Sequence, residues 1–420
     1  MSDLNLEQLR KRAKELVRQR RSAGEEIKLS EAQLAIASEH GFPSWPKLKE
    51  HVERLHAEQP FHTDIEYYEG RADGIATVDG VSIEEARRDL ARRHGFATWE
   101  RLRQHVAALR DGSEPQTPFV LAYRAVEDGD ATRLAELLDA HPELIRARGT
   151  NGNDLLGMAG GSLDLVRLLL ARGADVNRGN DYGWTILHQA GYGNSRALAQ
   201  VALDAGADAS LSARGDGGTP LVVALFWGYR EVVDRLGLAP ENLRIAAGLG
   251  RLDMLRELVG TPAAGAHRAF YRPHGGFPAW RPSDDPREVL DEALVWAAKA
   301  DRVEAIELLV ERGARVGADV YRGTPLTWAA AKGRVGAIRK LVELGADPNQ
   351  HGTFGGPMHG EGVVALHLAA QGGKTDAADA LLELGADPTI RDALHDGPAW
   401  GWAEFGGHQE LGKLLRERGA

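Results

Sequence analysis

A recurring tripeptide constrains this chain more than any other feature. Gly173-Ala174-Asp175, Gly206-Ala207-Asp208, Gly313-Ala314-Arg315, Gly345-Ala346-Asp347 and Gly385-Ala386-Asp387 each follow an amphipathic stretch such as Leu163 to Leu170. Gly173 to Gly206 is 33 residues and Gly313 to Gly345 is 32. A fixed period of this length means stacked supersecondary units, because one unit cannot bury its apolar face alone. The other half of the unit is equally regular. Gly218-Thr219-Pro220-Leu221, Gly323-Thr324-Pro325-Leu326, Trp184-Thr185-Ile186-Leu187-His188 and Val364-Ala365-Leu366-His367 each open a short helix. Threonine caps that helix and proline fits its first turn. Small alanines let it pack closely, a glycine (Asn194 in one unit) ends it, and the glycine of each tripeptide turns the chain into a hairpin finger.

Both halves resemble the ankyrin repeat in spelling and period, and from about Phe119 onward the chain is similar to bacterial-type ankyrin-repeat proteins. The resemblance implies an all-α solenoid of helix pairs with hairpin fingers. It also implies that His188 and His367 bond backbone between repeats, and that a groove along the inner helices binds a protein or peptide partner. On that pattern the residue after the histidine slot faces the groove. Trp296, Trp328 and Trp402 stand there, with Tyr192, Phe226, Trp227 and Phe405 nearby. Full burial of one large aromatic side chain is worth about 3 kcal/mol. The row is therefore expected to be covered, by a ligand, by inserted loops or by the N-terminal region.

The array breaks its period twice. Gly206 to Gly313 is 107 residues, and this interval holds a truncated unit, with Leu238-Ala239-Pro240-Glu241-Asn242 leading directly into the next helix. It also holds an irregular insert over 261–287 carrying Tyr271, Arg272, His274, Trp280, Arg281, Asp284 and Asp285. Gly345 to Gly385 is 40 residues, and the surplus is a glycine-rich insert over 351–361 carrying His351, His359 and Glu361. Long loops without secondary structure of their own are frequent sites of function. His274, Asp285, His359 and Glu361 form the candidate catalytic set, in which an imidazole acts as base beside a carboxylate that orients it. Tyr271, Arg272, Trp280 and Arg281 are candidate binding residues, the arginines facing either the adjacent aspartates or an anionic ligand. Three histidines and a carboxylate also suit zinc or iron, but the spacing matches no named metal motif. No metal or cofactor is expected. No phosphate loop, serine elbow or dinucleotide fingerprint is present.

Residues 1–112 form a second unit, joined by a polar 113–118 linker to the array at 119–420. Its segment Ala37 to Val52, with His40-Gly41-Phe42 and Trp45, returns 54 residues later as Ala91 to Val106, with His94-Gly95-Phe96 and Trp99. Ser30 with Gln33 and Ser82 with Glu85 have capping-box spacing, Gly41 and Gly95 end those helices, and Ser44 and Thr98 cap the next. A basic helix from Leu6 to Arg21 precedes the first copy. Phe42, Trp45, Leu48 and Val52 are expected to form a small core. The pattern is similar to the helix-turn-helix of arabinose-regulator-type transcription factors. Against DNA binding stand the near balance of acidic and basic residues here, and a tryptophan where a base-reading side chain belongs.

The absence of cysteine excludes disulfides and thiolate metal sites. A net charge of -10 argues against non-specific phosphate binding. No apolar run approaches the roughly 20 residues of a membrane helix, and the N-terminus lacks a signal-peptide core, so a cytoplasmic chain with no membrane partner is expected. Three functions follow: a scaffold for a protein or peptide partner; a small-molecule binder or enzyme with a tryptophan-lined pocket under the inserts; or a DNA-binding regulator.

Overall fold

The computed structural model describes residues 6–22, 27–41, 43–46, 48–49, 60–113, 116–213, 217–237, 242–268, 283, 285–321, 323–353, 362–393 and 395–419. The chain forms two compact units, 1–174 and 175–420. Among the described residues regular structure is helical, and extended segments pair only as isolated bridges such as Gly352 with Val363.

In the first unit the helices described around the two copies correspond. Leu6–Ser22, Leu29–Glu39 and a short turn near Trp45 make one; Ile65–Asp79, Ile83–Arg93 and Trp99–Asp111 make the other. The middle helices lie 54 residues apart at both ends, as the sequence offset requires. Gly70 and Gly74 interrupt the apolar period of Ile65–Asp79, which hides it from pattern reading, yet Tyr68, Ala72 and Ile75 are buried along one face. Ser82 accepts the Glu85 N–H at 3.2 Å and Thr98 that of Arg101 at 3.3 Å, as expected. The first copy differs: its helix begins at Leu29, and the Glu31 carboxylate accepts the Lys28 N–H at 2.9 Å, so Ser30 sits inside the first turn and caps nothing. Leu48 is fully buried and Trp45 packs on the same core, while Phe42 and Val52 lie outside the described residues.

The second copy packs on the helix pairs that follow it. The His94 imidazole bridges the Leu90 carbonyl at 2.8 Å and the Thr150 hydroxyl at 2.6 Å. Phe61 stacks at 4.4 Å on Tyr123, and Asn151 Nδ2 donates to the Tyr67 hydroxyl at 3.4 Å. Pro118–Glu127 with Ala131–Ala140, and Leu155–Met158 with Leu163–Ala171, form the helix pairs of this unit.

The second unit stacks inner helices Ile186–Tyr192, Pro220–Phe226, Leu243–Leu249, Pro286–Lys299, Pro325–Ala331, Ala365–Gln371 and Ala399–Phe405, each followed by an outer helix. Thr219 and Thr324 cap as the spelling demands, accepting the Val222 and Thr327 N–H groups at 3.4 and 3.1 Å. Alanines 329, 330, 369 and 370 are fully buried against Ile338, Leu341 and Leu381, and each such leucine or isoleucine contributes about 1.5–3 kcal/mol. Every inner helix ends on a left-handed residue: Asn194, Gly228, Gly250, Asp301, Gly333, Gly373 and Gly407. Asparagine and aspartate tolerate that conformation best among residues with a Cβ. At Gly228 a side chain is impossible for a second reason, since its Cβ would lie 2.5 Å from the Lys299 carbonyl.

The fingers are laced by a repeated pair of bonds. Asn177 donates to the Gly206 carbonyl at 3.1 Å and accepts the Asp208 N–H at 2.7 Å; Asn349 does the same with Gly385 at 3.0 Å and Asp387 at 2.8 Å. Where the finger is truncated this lacing asparagine is missing, and Asp291 takes over its accepting role. Its carboxylate accepts the Arg315 N–H at 2.6 Å and the Arg315 Nε at 2.8 Å.

Candidate partner-binding row on the inner helices

The repeat register places one side chain of each inner helix two residues before its left-handed end. Tyr192, Phe226, Gly248, Lys299, Ala331, Gln371 and Phe405 occupy that slot. Phe226 and Lys299 are buried, whereas Tyr192 and Phe405 are 53% and 85% exposed. The row is therefore closed in its middle and open towards its ends.

The closed middle is built around Lys299. Its ammonium donates to the Phe226 carbonyl at 2.9 Å, and it lies 3.9 Å from the Phe226 ring centroid and 3.7 Å from that of Trp328. Burial pushes the Lys299 pKa well down, with the charge of Lys332 adding to the effect. Two ring faces and a carbonyl return only part of that penalty to the cationic form. Trp296 and Trp328, placed by the sequence pattern on the groove face, are only 2% and 6% exposed, and Phe226 is 2% exposed. These three are interior residues, covered by side chains of neighbouring repeats rather than left for a partner. The Arg244 guanidinium lies 5.9 Å from the Trp296 ring, and the buried Trp296 Nε1–H has no hydrogen-bond partner among the described residues.

Next to Lys299 the lengthened Pro286–Lys299 helix carries Glu292 where other repeats carry the capping threonine. Glu292 is fully buried. Arg268 Nε donates to it at 2.8 Å, the Tyr321 hydroxyl at 2.9 Å, and Arg244 stands 3.4 Å away. Burial raises the Glu292 pKa and the two guanidiniums oppose that rise. Tyr321 holds a left-handed backbone, with φ of 53°, at a cost of order 1–3 kcal/mol. The one sign of this cluster in the sequence is Glu292 in the slot of the capping threonine; Arg244, Arg268 and Tyr321 occupy positions that the repeat pattern leaves open.

Of the loop residues singled out from sequence, Tyr271, Arg272, His274, Trp280, Arg281, Asp284, His359 and Glu361 lie outside the described residues. Asp285 is described and has structural partners: it caps its helix by accepting the Arg287 N–H at 2.9 Å, and it stands 3.3 Å from Arg315. Within the first insert Arg268 and Ser283 bind Glu288, and within the second the Thr353 N–H donates to Asp319 at 2.9 Å. Among the described residues no three histidine or acidic side chains group as a metal site requires. His188 and His367 sit in the repeat slot, reaching the Gly218 and Gly397 carbonyls at 3.0 and 3.1 Å. Trp402 is half-buried and donates its indole N–H to Asp392 at 2.9 Å.

What remains open is an aromatic edge. Trp184, Tyr192 and Trp227 meet edge-on, with centroids 6.0 and 5.7 Å apart. The Lys332 ammonium sits 5.2 Å from the rings of both Trp227 and Tyr229. Burial, with Arg334 and Lys374 nearby, lowers the Lys332 pKa to about 8. Elsewhere, in the first unit, a cleft of about 340 Å³ opens beside Ile65, Glu100, Arg103 and Arg110. That is the low end of ligand-pocket size.

Comparison with known sequences agrees with this architecture. Residues 155–242 and 243–351 match the family described as Ankyrin repeats (3 copies), and residues 361–393 match Ankyrin repeat. The chain is 32% identical over 95 residues to Ankyrin repeat and SAM domain-containing protein 6 of Rattus norvegicus, a stretch covering 22% of this chain and 11% of that protein. Ankyrin repeats are generally protein–protein interaction modules, and among the described residues no helix is long and apolar enough to cross a membrane. With its finger lacing, capped inner helices and histidine slots in place, and with family matches over more than half its length, this chain belongs to the ankyrin-repeat family.

Proposed function

We propose that the chain is a binding scaffold that recognises a protein or peptide partner along the open aromatic edge of its inner helices. The observation that carries this reading is Tyr192, more than half exposed yet held edge-on by Trp184 and Trp227. A large ring fixed in place before binding loses little conformational freedom on contact, and aromatic anchors of this kind carry much of the energy of interfaces. Stacked repeats keep the edge rigid. The buried tryptophans, Trp296 and Trp328, are its foundation.

The test compares proteins captured from a native lysate by the parent chain and by Tyr192→Ser and Trp227→Ser variants of equal thermal stability. Loss of a captured species from both variants supports the reading. An unchanged set of captured proteins would remove the aromatic edge from consideration.

A further inference from the structure

The turns that end the inner helices carry a ladder of cations. Arg302 Nε donates to the Gly248 carbonyl at 3.2 Å; Arg334 reaches the Lys299 carbonyl at 2.9 Å and that of Gly228 at 2.7 Å. Lys332 lies between the Trp227 and Tyr229 rings, the Lys374 stem packs on Gly333, and Arg230 is exposed beside Arg302 and Arg334. Within the described part of the structure none of these five has a carboxylate at ion-pair distance. Some other cations of this unit are paired, one of them (Arg251) at an equivalent helix end. Arg339 pairs with Glu383 at 2.6 Å, Lys340 with Glu307 at 2.6 Å and Glu343 at 2.8 Å, and Arg251 with Asp253 at 2.8 Å. In a chain of net charge -10, acidic partners for these cations are not scarce. Here the guanidiniums are instead held by backbone carbonyls, which position the charge without cancelling it.

Crowding of like charges at such a site costs stability: burial lowers the pKa values of Arg302, Lys332 and Arg334, and the neighbouring charges of Arg230, Arg334 and Lys374 add to the effect. The acidic groups that face the ladder are Glu231, Asp234, Asp301 and Glu304. Asp301 is already engaged, accepting the Ala337 N–H at 2.7 Å. The other three are exposed and flank the cations. A uniform polyanion such as a nucleic acid would meet them at every step. A peptide can space its carboxylates to avoid them and can place rings against Trp227 and Tyr229.

We propose that the ladder Arg230, Arg302, Lys332, Arg334 and Lys374, with the adjoining Trp227 and Tyr229 rings, is a docking surface for an acidic, aromatic-bearing peptide segment of a protein partner. This rests on the scaffold reading and adds the chemistry of the partner. Net negative charge elsewhere on the chain turns such a segment away from other faces, so the ladder selects both place and register.

The probe is a fluorescein-labelled random copolymer of glutamate and tyrosine, titrated with the full chain and followed by anisotropy at low and physiological salt. Saturable binding that weakens with salt is expected. An Arg230→Glu/Lys374→Glu double variant should lose about tenfold or more in affinity, as expected when two steering charges are reversed. Both residues are exposed, and an unchanged melting curve will confirm that the variant folds. Arg339→Glu, on an outer helix, should leave affinity unchanged. No saturable binding, equal binding by the double variant, or tighter binding of heparin or duplex DNA would each overturn the proposal. If the copolymer fails while lysate capture still depends on Tyr192 and Trp227, the acidic partner is refuted and the scaffold reading stands. If both fail, both fall.

Discussion

Lys299 and Trp328 meet inside the inner-helix row, ammonium over indole at 3.7 Å, although neither position carries charge or tryptophan in the repeat's usual spelling. The pair closes the middle of the row and separates the open aromatic edge from the interior. A fully buried lysine is an expensive way to close it, because desolvation of the cation exceeds what two rings return. Lys299→Met fills the same volume without that penalty, so the melting temperature is expected to hold or rise. Because burial lowers the folded-state pKa of Lys299, the unfolded chain binds more protons between that pKa and the ordinary lysine value of about 10.4. The parent should therefore gain stability relative to Lys299→Met as pH rises towards 10. A pH series of urea melts that finds the difference flat or falling would contradict this account.

Asp291 stands in for the missing finger asparagine. If its task is to accept the Arg315 N–H, Asp291→Asn should keep most of the stability, as Asn177 and Asn349 do in their own fingers. Asp291→Ala removes the acceptor from a fully buried site and should cost about 1–3 kcal/mol. Urea denaturation separates the two outcomes, and equal losses would show that charge rather than acceptance matters.

Glu292 and Arg244 are both buried, at 0% and 4% exposure, and face one another at 3.4 Å with Arg268 and Tyr321 completing the set. Removing one member leaves the other charged and alone. Glu292→Ala is expected to destabilise by about 3–5 kcal/mol, and Arg244→Met/Glu292→Leu by clearly less. A double-mutant cycle by chemical denaturation measures the coupling. Additive losses would mean that the two side chains do not act as a pair.

His188 reports on pH from within the repeat stack. Burial lowers its pKa to about 4 despite its bond to the Gly218 carbonyl. A folded value below the unfolded value of about 6.5 means that the unfolded chain binds the extra proton between them. Stability from this site is thus complete above pH 6.5 and declines as pH falls towards 4. Comparing His188→Gln with the parent from pH 7.5 to 4 should show the parent's disadvantage growing on the acidic side; parallel curves would exclude His188 as the source.

Period and spelling alone determined the repeat architecture. The Thr219 hydroxyl, the Pro220 ring and the glycine fingers act on backbone within a few residues of themselves, so a reader of the sequence sees their effect directly. The duplication in the N-terminal region was legible for the same reason, down to the offset of its middle helices. Its leading helix Ile65–Asp79 was not, because its two interior glycines blur the apolar period that only packing restores.

The tertiary structure decided which aromatics face water. Trp296 and Trp328 share a sequence slot with Trp402, yet the first two are interior and the third is half-buried. Sequence spacing fixes the direction in which a side chain leaves its helix. What waits there (a lysine, a carboxylate or solvent) comes from residues about 30 or more positions away, and no local pattern encodes it.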